Sequence, residues 1–487
     1  MSDSELSLIA HLMRRAGMGA NRQELEVLAA KGYDAVVDDL LHPERFSEGG
    51  LDIIHPYVNG TLPPEPNPDD DDDILLRYYG GIGSPSGSSQ GKWMYRMVNS
   101  RRPLKEKVSL FWHQVFACAA SKSAHPRTNR RQIEMFRRVG LSDVRHILTE
   151  LSKDPAMIFW LDNNENHREE PNENYGRELL ELFSMGVGNY TEEDVKAVTM
   201  AFTGWSFRQP VHGSVPFGKW ATNFEYFEDD HDEATKTFLG ETGHFNGEDI
   251  IEIIANQPAT ARFISRHMYN FFVADEPPVS SWNEVAPQDP EAIGILVGAY
   301  FESKGEIRHM LRALFNSNFF KEAKFKKVKS PAEMVGGLLK LVGTYRFPTP
   351  GINHYADAAG LMGQSLMMPL TVEGWLTGQA WIDGGTLNER VNFAVNEVAD
   401  PDKPGIRDIF QRVASNGGSL SPDEFVDKSL DLVGPLEVGD ETRQELLEYA
   451  TSEGDLTFGK DEDKERSEGR VVKMVQLIVS SREFQFG

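Results

Sequence analysis

The sequence predicts a mainly helical, all-α protein with one short β-hairpin or ribbon near residues 205–240. Apolar residues recur at helical spacing through most of the chain, and capping residues and glycines bound many of these segments. Only residues 205–240 combine aromatic residues with turn formers in the way that favours a hairpin. The length of 487 residues suits two to three domains, or one large helical body with insertions.

The N-terminal segments show the helical signals most simply. Leu6, Ile9 and Met13 form an apolar stripe that Gly17 ends, and Asn21 with Glu24 makes a capping box for the next helix. Residues 43–92 differ, because they are rich in Pro, Gly, Ser and Asp and include PPEPNPDDDDD. Adjacent aspartates repel one another, so we expect an acidic, mobile surface loop here.

Helical patterns resume at Pro103 and recur at 142–160, 258–274, 290–303, 306–318 and 331–343, with three or four more helices in the last 100 residues. The aromatic hairpin-like insertion at 205–240 interrupts them. Its aromatic side chains are expected either to line a groove for a glycan or peptide or to form ordinary core: Trp205, Phe207, Phe217, Trp220, Phe224, Tyr226 and Phe227.

Composition restricts the class of protein. The formal charge is -25, with 75 acidic against 50 basic residues, so bulk electrostatic binding of nucleic acid is not expected. The single cysteine, Cys118, excludes an intrachain disulfide. No apolar stretch is long enough to span a bilayer, and the N-terminus lacks the features of a secretory signal. The chain as written is therefore expected in the cytoplasm.

A polar loop supplies the candidate metal ligands. Asp162, Asn164, Asn166 and Glu173 fall at positions one, three, five and twelve, the spacing of a helix–loop–helix calcium site. Position six is His167, where the pattern requires Gly, and this argues against a standard site. The alternatives are a non-standard site for Ca²⁺ or another divalent cation, and a structural role in which Asp and Asn cap helices and loop amides.

Candidate catalytic residues lie close to that loop and elsewhere. Glu178 borders the apolar face of the next helix, where a carboxylate is paired, coordinating or raised in pKa. Arg177 and Glu181, four positions apart, predict a surface ion pair. Thr191 with Asp194 forms a second capping box, which predicts the start of the next helix. His113, together with the adjacent pair His231–Asp232, is predicted to converge on Glu178 and Glu173 if the protein is a metal-assisted enzyme.

The signatures of nucleotide binding, zinc proteolysis, thiol redox chemistry and serine hydrolysis are absent from the sequence. Two hypotheses remain open. The first is a metal-assisted enzyme that uses a central Glu/Asn/His cluster on an unknown substrate. The second is a non-catalytic scaffold or binding module, for a glycan, a peptide or a protein partner, whose polar motifs are structural.

The polar loop and the helices after it form a central motif, PNENYGRELLELFSMGVGNYTEEDV, which is followed by TGW at 203–205. Further motifs occur in order along the chain: HLMRRAGMG at 11–19, PLKEKVSLFWHQVFA at 103–117, DPAMIFWLDN at 154–163, HDEATKTFLG at 231–240, PATARFISRHMYNFFV at 258–273, GQSLMMPLTVEGW at 363–375 and SREFQF at 481–486. In this combination of motifs, the sequence resembles the bacterial family known only as domain-of-unknown-function family 1800.

The resemblance implies one mostly helical body over residues 1–487 in place of separate domains. It also implies a sulfatase-like protein as partner, which no feature of this sequence shows, and it leaves the oligomeric state open. Phe183 stands where many relatives carry His, so any role of that His is absent here. Relatives often carry export signals, and the N-terminal residues of this sequence lead us to expect none here.

Overall fold

A computed structural model describes residues 3–48, 51, 86–123, 128–207, 223–346, 353–415, 418–458 and 461–487. It confirms the mainly helical fold. The helices before the polar loop are Asp3–Ala16, Arg22–Lys31, Tyr33–Leu41, Ser86–Asn99, Pro103–Val115, Ala120–Ser123, Thr128–Val139, Val144–Ser152 and Pro155–Trp160. Those after it, up to residue 342, are Asn174–Glu181, Glu192–Ala201, Gly247–Ala255, Pro258–Phe272, Pro290–Glu302, Ile307–Asn316, Asn318–Lys321 and Pro331–Val342. The remaining helices are His354–Leu361, Gly384–Val398, Pro404–Ala414, Pro422–Val433, Asp440–Ser452 and Asp461–Ser480.

The β-structure consists of short antiparallel pairs. Trp205–Phe207 pairs with Phe224–Tyr226, and Lys236–Phe238 pairs with Glu241–Gly243. The hairpin expected near 205–240 is therefore confirmed, although two of its aromatic residues, Phe217 and Trp220, lie outside the described residues. A further pair, Ser419–Leu420 with Leu456–Thr457, was not predicted, because two-residue strands leave no alternating pattern.

The predicted acidic loop is only partly described. Residues 49–50 and 52–85 lie outside the described residues, and Pro43–Arg45 forms one turn of 3₁₀ helix. The helix Ser86–Asn99 begins inside the predicted 43–92 segment. The reason is the spacing of Trp93, Met94 and Met97, which are buried on one side of that helix. The predicted boundary at residue 92 falls just before this stripe and inside the helix, because the first residues of the helix are mostly Ser and Gly and give no helical signal.

The predicted helix starts are found in the structure. Asn21 and Glu24 form a reciprocal capping box, as do Thr191 and Asp194 at the start of Glu192–Ala201. Glu192–Ala201 packs closely on Asn174–Glu181 at Gly176. A Cβ atom at Gly176 would lie only 3.0 Å from Oγ1 of Thr199. The two helices can therefore pack this closely because residue 176 has no side chain. These two helices position the polar loop and Glu178.

In the described part of the chain, no helix combines the length and the apolar character that crossing a membrane requires.

Candidate functional site

The polar loop is held against the end of the helix Glu192–Ala201 by asparagine side chains. The side-chain amide of Asn163 donates to the carbonyl oxygens of Phe202 and Trp205 at 3.3 and 2.7 Å. Asn166 donates to the carbonyl of Thr199 at 2.9 Å and accepts from the backbone amide of Asn172 at the same distance. Both asparagines are buried. Together they fix the path of the loop toward the helix that carries Glu178.

Three of the four side chains predicted as metal ligands, those of Asp162, Asn166 and Glu173, have their oxygens bound by protein donors. Asp162, in a left-handed conformation with φ 58°, accepts from Nζ of Lys122 at 2.5 Å and from Nδ2 of Asn174 at 3.3 Å. Nδ2 of Asn164 donates to Glu165 at 2.7 Å, whereas its Oδ1 is buried and has no hydrogen-bond partner in the described structure. Asn166 belongs to the network above. Within the described residues, no group of three or more His, Cys, Asp or Glu side chains is arranged to hold a metal ion.

Glu173 and Arg177 have partners other than the predicted ones, which were a metal ion for Glu173 and Glu181 for Arg177. Arg177 donates to Glu173 at 2.9 Å and to both carboxylate oxygens of Glu192 at 2.9 and 2.7 Å. The predicted Arg177–Glu181 pair does not form, because Glu192, on the adjacent helix, takes the guanidinium in a bidentate pair. Glu181 instead accepts from the hydroxyl of Tyr190 at 2.8 Å. The Glu173 carboxylate is thus occupied as an ion-pair partner of Arg177.

His113 lies in the protein interior. Its ring packs edge-on between Trp93 and Trp375, with centroid distances of 5.6 and 5.2 Å. Burial lowers the pKa of His113 to about 3, with Gln132 opposing the shift, so the imidazole is neutral at physiological pH. Its surroundings are aromatic.

His231 and Asp232 anchor the β-region to the residues before the first strand. Nδ1 of His231 donates to the carbonyl of Thr203 at 2.9 Å, and the hydroxyl of Thr203 accepts from the Asp232 amide at 2.9 Å. Asp232 also pairs with Lys236 at 3.0 Å. No hydrogen bond, ion pair or ring contact among the described residues joins either of them, or His113, to Glu178.

Glu178 is half-buried on the helix Asn174–Glu181. Burial raises its pKa to about 7, and the nearby carboxylates of Glu181 and Glu373 add to the shift while Arg177 opposes it. In the part of the chain that the structure describes, no hydrogen bond or ion pair engages the Glu178 carboxylate. It is therefore able to exchange a proton near neutral pH, as a general acid or base must.

A cleft of about 430 Å³ adjoins this cluster, a volume within the range of roughly 300–1,000 Å³ typical of small-molecule sites. Its wall includes Glu181, Glu373, Arg262, Phe263, Asn189 and Asn283. Glu373 and Tyr190 were missed from the sequence. Tyr190 lies in the central motif, but its spacing from Glu181 does not correspond to a helical contact. Glu373 comes from a loop almost 200 positions away.

Sequence reasoning also missed a buried polar group at the helix Pro155–Trp160. Asp154 caps this helix, since its Oδ1 accepts from the amide of Met157 at 3.1 Å and from Nε2 of Gln132 at 2.9 Å. Burial raises the pKa of Asp154 to about 7 and raises the pKa of the buried Cys118 thiol. The sequence did contain a signal for this cap, because an Asp followed by a Pro, here Asp154 and Pro155, is a typical helix start.

The fold and this cleft define a mainly helical protein with a cluster of three carboxylates beside a ligand-sized cavity, of which Glu178 has a raised pKa. Residues 11–486 match the family described as protein of unknown function DUF1800. The chain belongs to this family, which confirms the resemblance over nearly its whole length. No curated protein and no solved structure matches the chain at a significant level.

Proposed function

We propose that this protein is an enzyme that performs acid–base chemistry at the cleft, with Glu178 as the group that donates or accepts the proton. The position of Glu178 supports the proposal. Its carboxylate is half-buried, has no partner among the described residues and lies within electrostatic range of Glu181 and Glu373, two residues of the cleft wall. Perturbed carboxyl groups of this kind cluster at active sites.

Glu181 and Tyr190 have a supporting role in this proposal. The 2.8 Å hydrogen bond from Tyr190 fixes the orientation of the Glu181 carboxylate at the cleft wall. Glu178, three positions earlier on the same helix, lacks such a donor in the described structure. Two neighbouring carboxyl groups in different environments are a common arrangement for an acid and its partner base or electrostatic stabiliser.

The proposal assigns no step to a metal ion, because three of the four residues predicted as ligands have their oxygens bound by protein donors. It also places His113, His231 and Asp232 outside the chemistry, as parts of the interior and of the β-region. The substrate is expected to be a small molecule, or one unit of a polymer, since the cleft is of small-molecule size. Arg262, an exposed cation of the cleft wall, is expected to bind an anionic group of that substrate.

A non-catalytic binding module is the second candidate, and one exposed apolar residue favours it. Val187 is 45% exposed and lies in the cleft wall, which also includes Glu181 and Glu373. A wall with an exposed apolar side chain and carboxylates suits a ligand with apolar and cationic groups, such as a peptide segment of a partner protein. The sulfatase-like partner that the family resemblance implies would be one source of such a segment.

Substrate screening with paired variants separates the two candidates. Chromogenic esters, glycosides and amides should be tested from pH 5 to pH 8 with wild-type protein and with Glu178→Gln. If the proposal holds, a hydrolysed substrate is found, and Glu178→Gln lowers kcat by roughly 10²–10⁴-fold, the usual contribution of a general acid or base.

The control is Glu445→Gln, which replaces an exposed carboxylate on the helix Asp440–Ser452 and should leave kcat unchanged. The melting temperature of Glu178→Gln must match wild type for the comparison to count. Activity that survives Glu178→Gln would contradict the proposed role of Glu178. Ligand binding without turnover, equal in wild type and Glu178→Gln, would establish the binding module instead.

A further inference from the structure

A second cavity, distant in sequence from Glu178, is lined by buried cations. It lies where the N-terminal helix Asp3–Ala16 meets the start of Pro331–Val342 and the last residues of the chain. Its polar lining residues are Arg14, Arg15, Lys329 and Glu333, and we call it the cationic cavity. The apolar wall includes Met18, Leu25, Met334, Leu338, Leu341 and Val433.

Arg14 leaves one edge of its guanidinium group without a partner. Nη1 donates to the carbonyl of Gly434 at 2.9 Å, and the guanidinium lies 4.9 Å from the centre of the Phe325 ring. Nε and Nη2, the two donors on the other edge, are shielded from solvent and have no hydrogen-bond partner in the described structure. These two N–H groups point in parallel, which is the arrangement that binds two oxygens of a carboxylate or phosphate.

Arg15 adds a second unpaired donor. It is almost fully buried, and its Nη2 donates to the carbonyl oxygens of Val273 and Gly487 at 3.2 and 2.8 Å. Its Nε has no partner among the described residues. A buried donor left unpaired costs roughly 1–3 kcal/mol, and more for a charged group. Three unpaired guanidinium donors around one cavity are therefore expected to be used by a ligand or ordered water.

The charge of the cavity is positive. Among its described lining residues, Arg14, Arg15 and Lys329 stand against the single carboxylate of Glu333. That carboxylate is already bound by Nζ of Lys107 and by the amide of Ser330 at 2.6 Å. Burial and the nearby Arg14 and Arg15 hold the pKa of Lys329 well below its usual value, so the two arginines are the cations that give the lining its positive charge. Burial and mutual repulsion lower the pKa of Arg14 to about 9, and burial lowers the pKa of Arg15 to about 10.

We propose that the cationic cavity is a binding site for a small oxyanion, held by the free edge of Arg14 and by Nε of Arg15. The cavity measures about 60 Å³, room for a few water molecules or one anion of the size of phosphate, sulfate or a short carboxylate. A nucleotide or a larger phosphorylated ligand does not fit. The apolar wall gives a short-chain carboxylate a place for its alkyl group. The site is separate from the cleft at Glu178, so its test does not depend on the proposed catalysis.

Calorimetric titration of the full chain tests this proposal. Phosphate, sulfate and butyrate are added separately in buffer whose ionic strength is held constant with sodium chloride. We expect saturable binding of one anion per chain, and the tightest of the three identifies the anion class. Arg14→Lys keeps the positive charge but removes the paired donors, so it should weaken binding by roughly tenfold or more.

Arg407→Lys is the matched control, because Arg407 is an exposed arginine paired with Asp402 on the surface. It should bind the anion as tightly as wild type. The proposal is overturned if none of the three anions gives saturable binding to wild type, or if Arg14→Lys binds as tightly as wild type. If Arg14→Lys does not fold, the wild-type titration decides, together with a rise of about 2 °C in melting temperature at roughly 100 times Kd.

Discussion

Tyr190 and Glu181 are joined by a hydrogen bond of 2.8 Å from the phenol hydroxyl to Oε2 of the carboxylate. Glu178, on the preceding turn of the same helix, has no comparable donor within the described residues. The two carboxyl groups therefore differ in environment although they are close in sequence. This difference gives the first prediction.

Glu178→Gln should change the way in which stability depends on pH. The pKa of Glu178 is raised to about 7 in the folded protein, above the value near 4.3 expected in the unfolded chain. The folded state then holds the proton more tightly, so the contribution of this group is full below about pH 4 and is lost as pH rises through 7. Urea unfolding from pH 4 to pH 8 should show a smaller loss of stability for Glu178→Gln than for wild type. Equal losses in the two proteins, with Glu445→Gln also unchanged, would refute the raised pKa.

Asn163→Asp should destabilise the protein strongly. The side-chain amide of Asn163 is buried and donates to two backbone carbonyls, those of Phe202 and Trp205. The substitution keeps the shape but places carboxylate oxygens against those carbonyls, which should cost about 3 kcal/mol of unfolding free energy. Asn396→Asp is the control, because it makes the same chemical change at an exposed position on a helix surface. It should have little effect in the same denaturation experiment. Similar losses for both would show that Asn163 does not hold the loop.

Asp154→Ala and Asp154→Asn should differ in their effects. The alanine variant removes the acceptor for Met157 and for Gln132, so we expect a loss of about 1–3 kcal/mol in unfolding free energy. The asparagine variant retains an oxygen that caps the helix, and it should lose much less. Chemical denaturation at pH 7 measures both. An equal loss would indicate that the charge, and not the cap, stabilises this position.

The melting temperature should not respond to EDTA or to added calcium. Asp162, Asn166 and Glu173 are bound by protein donors, so a cation would have to displace Lys122, the Asn172 amide and Arg177. Scanning calorimetry of wild-type protein with chelator and with millimolar CaCl₂ tests this expectation. If calcium raises the melting temperature, and Asp162→Ala with Glu173→Gln abolishes the rise, the loop is a cation site after all.

Local sequence signals predicted much of the fold. The capping boxes at Asn21 and Thr191 lie where the pattern places them, because a cap depends on residues three positions apart. The partner of Arg177 could not be predicted in the same way. Its choice of Glu192 over Glu181 depends on the packing of two helices, which the spacing along one helix does not report.

Only part of the candidate site could be predicted from the sequence, because local spacing is visible there and the packing of distant segments is not. Glu178 was singled out because a carboxylate beside an apolar stripe is visible in the sequence. Glu373 was not, because only the tertiary structure brings its loop to the helix Asn174–Glu181. The burial of His113 could not be predicted from the pattern of its helix. His113 lies beside the apolar stripe of that helix, but Trp93 and Trp375, from other parts of the chain, enclose its ring.

The contact between Arg15 and Gly487 joins positions 472 residues apart and has a consequence during synthesis. The ribosome makes the helix Asp3–Ala16 long before it reaches Gly487. At roughly 5–20 residues per second, Arg15 waits on the order of 25–95 s for this partner. Over that time the apolar stripe of the first helix is exposed on a nascent chain. This part of the fold is therefore complete only after Gly487 has left the ribosome, and chaperones that hold nascent chains should associate with the helix Asp3–Ala16 until then.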